Sequence, residues 1–401
     1  MADLWKLQSP LPDGKTVAGI LELIPAETVS AEGVWFWECD GEQLGSSRGR
    51  EAFFVDTTLL SDGVREICVY GEQNRRPLFV AEFAVCNDPA ALPDPAQMRK
   101  QWLNALGTPG RDYRFTPGLE KINTVETDDF TGTLYWQNNG PGTRQELLVA
   151  LPKKGKAPYP TVIVPFYYPD KMAGMNLRTG EPRDPKGHRS WFVQHLTRRG
   201  FAVLSPQTYH LNLIPEPENR DEFKQWLRAS KALKERYPEW TGVGKLVADA
   251  KLAVDAVGEF PELDRSRIGI MGHSLGGKIA LFCGTLDERI KAIVASDFGF
   301  GWNQTNWSDP WYFGKERMHN LQRGDMELSQ LLIAAAPKPF FLIAGEFDND
   351  WSRAFLTRAG QSYGAAAKDL RIFNHATGHT PTLESLDAAY DFLAEKLALS
   401  V

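Results

Sequence analysis

One segment restricts the possible folds of this chain more than any other, the stretch RIGIMGHSLGGKIALFCGTL at 267–286. An apolar run at 267–271 predicts a strand, and the residues after 275 predict a helix that continues to 286. Between them lies GHSLG at 272–276, which has the pattern Gly-x-Ser-x-Gly. The pattern therefore predicts a sharp strand-to-helix turn with Ser274 at its tip.

The residue types in this turn have a steric explanation. Any Cβ at Gly272 or Gly276 would collide with the neighbouring strand or helix, while Ser274 itself is expected to adopt a strained backbone conformation. The turn would raise the Ser274 hydroxyl above the carboxyl edge of a sheet, at the N-terminus of a helix. Developing negative charge is favoured there. Ser274 is thus the candidate nucleophile.

The same pattern occurs a second time, as GSSRG at 45–49. This copy lies between two strand-like runs, VWFWECDGEQLG and REAFFV, and no helical run follows it. Ser47 is expected to be a loop residue between two strands, without the turn that exposes a nucleophile.

The first 88 residues contain short alternating runs separated by turn residues, including two Asp-Gly pairs. Such spacing predicts an all-β sandwich. The order WFWECDGEQLG, FFVDTTLLSDGVREICVYGE and FAVCN resembles that of bacterial immunoglobulin-like modules. Residues 1–88 are therefore expected to form one β-sandwich, and the Pro-rich stretch 89–118 to form a linker with a short helix at 95–106.

From residue 119 onward the pattern changes. Two antiparallel-type strands are followed by alternating apolar strands and helices, with helices expected at 188–199, 243–257 and from 383 to about 398. Buried β-branched strands alternating with helices predict a doubly wound, mostly parallel sheet, so the fold class is α/β. Two longer segments, 207–243 and 297–335, are expected to be insertions in this domain of 119–401.

A serine hydroxyl needs a base, and the base needs a carboxylate that orients it. Chain order Ser, acid, His is the rule for such a fold. The strand FFLIAG is followed by EFDND, and Asp348 on that loop is the predicted acid, with Glu346 and Asp350 as alternatives. The loop after LRIFN supplies His379 as the predicted base, with His375 as its competitor.

The oxyanion formed during acyl transfer needs two donors. The backbone N–H of Leu275, directly after the nucleophile, is one candidate. The second is expected on the loop after the strand TVIVPF, at Tyr167, through its backbone amide or its hydroxyl. No HGG motif follows this strand, and PFYYPDK stands in its place.

Residues 119–401 resemble the α/β-hydrolase superfamily. Within it, the passage from DAKLAVDAVGEFPELDRSRIGIMGHSLGGK to LDERIKAIVAS resembles enzymes of the dienelactone-hydrolase and acetylxylan-esterase type. The resemblance implies ester hydrolysis through an acyl-enzyme, with no metal or organic cofactor. It does not imply a particular substrate.

Aromatic side chains are dense in the insertion at 297–335. Flat aromatic faces beside polar groups suit a sugar ring, so these residues are candidates for substrate binding, although they would equally suit a small core of the insertion itself. The candidates are Trp302, Trp307, Trp311 and Tyr312.

Composition excludes several classes of function. The net charge is −6, and no basic run favours nucleic acid or an anionic membrane surface. The four cysteines show no spacing typical of a metal site. The N-terminus lacks the apolar core of a secretory signal. We therefore expect a cytoplasmic protein as the chain is written, or a secreted or periplasmic one if a signal has been removed.

Together these features predict a serine esterase that cleaves carboxylic esters, with an O-acetylated or otherwise esterified carbohydrate as the favoured substrate. The alternatives are a small-molecule carboxylesterase or lactonase, a serine peptidase, and a non-catalytic binding protein on the same fold. The expected partner is a small ester or oligosaccharide ester. The oligomeric state is left open.

Overall fold

The computed structural model of the chain describes residues 5–8, 16–17, 20–57, 60–61, 63–72, 76–85, 94–214, 222–302, 304–324, 326–348 and 352–399. These residues form two compact units. The smaller unit combines Met1–Asp94 with Asn349–Ala367, and the larger combines Pro95–Asp348 with Lys368–Val401.

The described residues of the smaller unit form eight strands and one α-helix. They are β1 (Trp5–Gln8), β2 (Thr16–Val17), β3 (Ile20–Pro25), β4 (Val34–Cys39), β5 (Glu42–Arg48), β6 (Phe53–Asp56), β7 (Gly63–Gly71), β8 (Phe79–Val85) and, from later in the chain, the helix Arg353–Tyr363. One sheet has the order β1-β3-β6 and the other β2-β8-β7-β4-β5. Apolar side chains of both sheets, among them Trp5, Leu23 and Trp37, share one core. This is the predicted β-sandwich.

Ser47 of the second Gly-x-Ser-x-Gly pattern lies inside strand β5, which corrects the expectation of a loop residue. Its side chain is buried, and its hydroxyl accepts a hydrogen bond of 2.9 Å from the indole N–H of Trp37. Alternation along the strand turns Ser47 towards the core. The hydroxyl thus has a packing role.

The sheet of the larger unit has nine strands. The strands are β9 (Leu119–Glu126), β10 (Phe130–Gly140), β11 (Thr143–Pro152), β12 (Tyr159–Ile163), β13 (Ala202–Pro206), β14 (Leu263–His273), β15 (Ile290–Ser296), β16 (Phe340–Ala344) and β17 (Leu370–Asn374). Their order is β17-β16-β15-β14-β12-β13-β11-β10-β9. From β17 to β13 all pairs are parallel, and β11, β10 and β9 continue the sheet antiparallel.

The described residues of the chain form ten α-helices, nine in the larger unit and one in the smaller unit. They are α1 (Pro95–Leu106), α2 (Pro169–Ala173), α3 (Phe192–Arg198), α4 (Glu222–Arg236), α5 (Gly242–Ala256), α6 (Leu275–Leu286), α7 (Lys315–Arg323), α8 (Ser329–Ala335), α9 (Arg353–Tyr363, in the smaller unit) and α10 (Leu383–Lys396). Strands β13 and β16 are buried at every position, because helices cover both faces of the sheet.

Three boundaries differ from the expectation. Helix α1, expected in a linker at 89–118, belongs to the larger unit, where Trp102 packs edge-on against Phe282 with ring centroids 5.4 Å apart. Residues 349–367, expected in the domain 119–401, belong to the smaller unit. The segment expected as the first antiparallel strand forms two strands, β9 and β10.

The insertion at 207–243 contains helix α4, and the insertion at 297–335 contains α7 and α8. Within the described part of the chain, no helix has both the length and the apolar character needed to span a bilayer. The cysteines at 39, 68 and 283 carry free thiols, and Cys86 lies outside the described residues.

Candidate functional site

The turn predicted at Ser274 is present. Strand β14 ends at His273 and helix α6 begins at Leu275, so Ser274 alone forms the corner. Its φ of 56° and ψ of −117° lie in a region that residues with a side chain rarely adopt. The Ser274 N–H donates to the carbonyl of Ser296 on the neighbouring strand β15 at 2.8 Å, which fixes the strained corner to the sheet.

The two flanking glycines are required by the close approach of the backbone. A Cβ on Gly272 would lie 2.0 Å from the carbonyl oxygen of Gly276. A Cβ on Gly276 would lie 2.3 Å from the carbonyl oxygen of Pro165. Both distances are far below van der Waals contact, so any larger residue would displace the turn or the loop after β12.

The carboxylate in contact with His379 is that of Asp297. Its Oδ2 lies 2.6 Å from Nδ1 of His379, across 82 residues of sequence. Asp297 is the first residue after β15 and is fully buried, whereas the His379 side chain is one-third exposed. Burial by itself would raise the pKa of Asp297. The hydrogen bonds from His379 and from the backbone at 346 and 348 outweigh burial and lower it.

The sequence-based choice of Asp348 as the partner of His379 is wrong. The Asp348 carboxylate is buried and accepts the backbone N–H groups of Phe298, Gly299 and Phe300 at 2.9, 2.9 and 2.8 Å. Through these three hydrogen bonds the Asp348 side chain fixes the loop that follows Asp297. Burial raises the pKa of Asp348 to about 6.

The alternatives for the acid and the base are also placed by the structure. Glu346 contributes its backbone N–H to the Asp297 carboxylate at 3.0 Å. Asp350 lies outside the described residues. The Nδ1 atom of His375 lies 2.8 Å from the hydroxyl of Thr377, so this imidazole is engaged within its own loop.

The imidazole of His379 lies beside the turn. Its ring centroid is 4.5 Å from that of His273, the residue directly before Ser274, and 5.0 Å from that of Phe347. The Ser274 hydroxyl makes no hydrogen bond to an imidazole within the described part of the chain. Catalytic hydrogen bonds are often long before substrate binds and shorten in the complex.

His273, which packs against the His379 ring, is itself held by a neighbouring strand. Its Nδ1 lies 3.1 Å from the hydroxyl of Ser296. Burial, together with the nearby His379, lowers the pKa of His273 to about 3. His273 is therefore neutral at physiological pH, and a cation formed on His379 would face an uncharged ring.

Ser274 opens into a cavity of about 450 Å³. The cavity is lined by Ser274, Lys278, Asp297, Phe298, Thr305, Asn306 and Phe347. Its volume suits a small ligand or one part of a larger one. No group of three or more His, Cys, Asp or Glu side chains able to hold a metal ion occurs among the described residues.

The two predicted oxyanion donors lie on segments in contact with each other. The N–H of Leu275 belongs to the first turn of α6, where backbone donors lack partners within the helix. The loop from Pro165 to Tyr167 touches Gly276, and the Tyr167 ring stacks on Trp226 at 4.4 Å. The structure thus places Tyr167 near the turn, and its donor role stays a prediction.

The four aromatic residues predicted to bind substrate are buried. The indole N–H of Trp302 donates to the carbonyl of Met326, and that of Trp307 donates to the carbonyl of Gly299, each at 2.7 Å. Trp311 packs edge-on against Trp226. The structure does not present Trp302, Trp307, Trp311 and Tyr312 as a binding platform, because their side chains are packed in the interior.

Comparison with known proteins gives three kinds of match. The family model of acetyl xylan esterase (AXE1) matches residues 244–301, which contain Ser274. A protein of Bacillus subtilis (strain 168) named YtaP, described as a hydrolase, is 26% identical over 200 residues. That alignment covers 50% of this chain and 62% of the relative, so the chain spans less than two thirds of it.

Solved structures resemble the chain over a longer stretch. A glucuronoyl esterase from Solibacter usitatus is 15% identical with a TM-score of 0.54, covering 75% of this chain and 92% of that one. A structure from Bacteroides fragilis NCTC 9343, described as an acetyl xylan esterase, is also 15% identical, with a TM-score of 0.53 and coverages of 70% and 74%. The larger unit has the α/β-hydrolase fold.

Sequence reasoning misses two residues of this candidate site. It misses Asp297, which follows β15, because it looks for the acid after the next strand, β16. An acidic residue directly after β15, the strand that pairs with β14, is nevertheless a usable signal. Lys278, one helical turn after Ser274, lines the cavity and is fully buried. Its Nζ donates to the carbonyl of Phe298 and to the Thr305 hydroxyl, and burial lowers its pKa to about 7.

Proposed function

We propose that the chain is a serine esterase that hydrolyses carboxylic esters through an acyl-enzyme. The contact of 2.6 Å between His379 Nδ1 and Asp297 Oδ2, beside the strained corner at Ser274, carries this proposal. When the Nδ1–H of His379 donates a hydrogen bond to Asp297, the other ring nitrogen, Nε2, carries no proton. Nε2 can then accept a proton, as a general base must.

The proposed reaction has two balanced steps. The Ser274 oxygen bonds to the ester carbonyl carbon as its proton passes to Nε2 of His379, and that proton leaves with the alcohol when the C–O bond breaks. Water then adds to the acyl-enzyme, giving its proton to His379, and the acid is released as Ser274 regains a proton. The Leu275 and Tyr167 N–H groups are the proposed donors to the oxyanion.

For the substrate, we propose an ester carried by a carbohydrate, such as an O-acetyl sugar. The support comes from proteins that this chain resembles, which are named as acetyl xylan esterases and glucuronoyl esterases. The cavity beside Ser274 offers both donors and acceptors to sugar hydroxyls, through Lys278, Thr305 and Asn306.

A small-molecule carboxylesterase or lactonase is the second candidate. The burial of Trp302, Trp307, Trp311 and Tyr312 favours it, because it removes the aromatic surface on which a sugar ring would stack. The values of kcat/KM on a sugar ester and on a simple ester distinguish the carbohydrate esterase from the small-molecule esterase. A preference for acetylated xylo-oligosaccharides over p-nitrophenyl acetate supports the first, and equal or lower values on the sugar support the second.

Labelling with a fluorophosphonate probe tests the proposed mechanism, with the other Gly-x-Ser-x-Gly serine as a matched control. We expect the wild-type chain and Ser47→Ala to be labelled and active, and Ser274→Ala to lose the label and at least roughly 10⁴-fold in kcat. Labelling at Ser47, or turnover that survives Ser274→Ala, would leave the chain without its proposed nucleophile.

A further inference from the structure

A second and larger cavity has no lining residue in common with the Ser274 cavity. It is a groove of about 980 Å³ between helix α4, the loop at 238–242 and the insertion at 310–321. All of these segments belong to the larger unit. We call it the α4–α7 groove. A volume of this order is typical of sites that enclose ligands of drug size or larger.

The groove has a charge opposite to that of the chain. Its lining includes four basic side chains, Lys231, Lys234, Lys315 and Arg317, against the two acidic side chains of Glu239 and Glu316. The whole chain carries a net charge of −6. A local surplus of positive charge on an acidic protein attracts anions, since field lines concentrate within a concave surface.

These cations are available to a ligand. Within the described part of the chain, Lys234, Lys315 and Arg317 form no ion pair, and Lys231 has only a 3.9 Å contact with Glu235 on the same helix. The three lysines are exposed and Arg317 is half-buried. The charges of Lys234, Lys315 and Arg317 are therefore not neutralised by an ion pair within the described residues.

The N-terminus of a helix also lines the groove. Gly242 opens the 15-residue helix α5, and its N–H has no hydrogen-bond partner in the described part of the chain. A helix N-terminus carries partial positive charge, which reinforces the attraction that the four basic side chains exert on an anion.

We propose that the α4–α7 groove binds an oligosaccharide that carries free carboxylates. A ligand with dense phosphates would be repelled by Glu239 and Glu316, which stand among the cations. A sugar chain separates its carboxylates by hydroxyl groups, so the cations pair with the carboxylates. Glu239 and Glu316 would accept hydrogen bonds from the hydroxyls, and Asn320 could accept or donate them.

One lining residue of the groove contacts one lining residue of the Ser274 cavity. Tyr312 lines the groove, and the Nζ of Lys278, which lines the Ser274 cavity, lies 5.3 Å from the centroid of the Tyr312 ring. A carbohydrate ester at Ser274 and an acidic segment in the groove would thus occupy adjacent sites. The binding proposal itself does not depend on the proposed esterase activity.

Isothermal titration calorimetry of the full chain with trigalacturonic acid tests the groove, with xylotriose as the neutral probe of equal length. We expect binding of trigalacturonic acid that weakens between roughly 50 and 300 mM NaCl, and at least roughly fivefold weaker binding of xylotriose. The triple variant K234Q/K315Q/R317Q is expected to lose at least roughly fivefold in affinity for trigalacturonic acid.

The matched control is K121Q/K154Q/K156Q, which removes the same charge from exposed lysines outside the groove. This triple variant is expected to bind trigalacturonic acid as the wild type does. Ser274→Ala is also expected to bind it normally, so that a failure of the esterase proposal leaves the binding result intact.

Thermal unfolding of each variant verifies folding. Equal loss in both triple variants would overturn the proposal, as would binding blocked by fluorophosphonate. Tighter binding of single-stranded DNA or phosphatidylglycerol vesicles than of trigalacturonic acid would also overturn it.

Discussion

The carboxylates of Asp297 and Asp348 each accept backbone hydrogen bonds from the loop beside the other residue. The backbone N–H of Asp348 donates to Oδ1 of Asp297 at 2.9 Å, as do those of the two residues before it at 3.0 and 2.9 Å. The carboxylate of Asp348 in turn accepts three N–H groups from the residues that follow Asp297. Two strand ends are thereby locked together, and only Oδ2 of Asp297 faces His379.

This reciprocity separates the roles of the two acids, which leads to the first prediction. Asp297→Asn is expected to lower kcat by about 10³–10⁴, because an amide N–H₂ facing His379 selects the tautomer whose Nε2 is protonated. Asp348→Asn keeps the contact of 2.6 Å between His379 and Asp297 and is expected to retain at least roughly a tenth of kcat, while losing about 1–3 kcal/mol of stability through its unpaired backbone donors. Steady-state kinetics and thermal unfolding distinguish the two. The opposite ranking in kcat would assign the acid role to Asp348.

The second prediction concerns the glycine that contacts the loop after β12. Gly276→Ala is expected to reduce kcat at least roughly tenfold, because its Cβ would lie 2.3 Å from the Pro165 carbonyl and would displace the loop that carries Tyr167. Gly258→Ala is the control, since its Cβ would approach no atom closer than 3.6 Å. Kinetics on p-nitrophenyl acetate compare them, and an unaffected Gly276→Ala would show that this loop has no part in catalysis.

The third prediction is a pH dependence of stability. The pKa of Lys278 is about 7 in the folded chain, against an ordinary value of 10.5. Between these values the unfolded state binds more protons, so this group makes the free energy of unfolding rise as pH increases from about 7 to 10.5. Below pH 7 the lysine is charged in both states, and its destabilising effect is then at its full value. The increase is at most about 1.4 kcal/mol per pH unit.

Lys278→Met is therefore expected to show a smaller increase in unfolding free energy between about pH 7 and 9 than the wild type. Urea unfolding at a series of pH values measures it. Lys338→Met is a useful comparison, because burial lowers the pKa of Lys338 to about 8 and its contribution begins at higher pH. Parallel curves for wild type and Lys278→Met would mean that Lys278 keeps an ordinary pKa.

The fourth prediction tests the role of the aromatic insertion. Trp307→Ala is expected to cost about 3–5 kcal/mol of stability, because the side chain is fully buried and its N–H is bonded to Gly299. Phe223→Ala, which removes a ring that is 64% exposed, is expected to cost less than about 1 kcal/mol. If Trp307→Ala instead left stability unchanged and raised only KM for a sugar ester, the indole would be a binding surface.

The strand-turn-helix at Ser274 can be predicted because its determinants are local. Two glycines, a serine and flanking apolar runs specify the corner within one short segment, and helices α1 and α6 lie at the residues that the sequence indicates. His379 can be found because it follows the last strand of an alternating pattern. The doubly wound sheet and the amino-terminal sandwich follow from the same periodicities.

The partner of His379 is decided by tertiary structure alone. Asp297 and Asp348 both follow strands that end at the same edge of the sheet, and sequence spacing cannot say which carboxylate turns towards the imidazole. The choice depends on which oxygens the backbone of the other loop has already occupied, which is a property of the folded loops. The burial of Trp307 and Lys278 is decided in the same way, because an insertion that packs on the sheet turns inward side chains that the sequence alone would allow to face solvent.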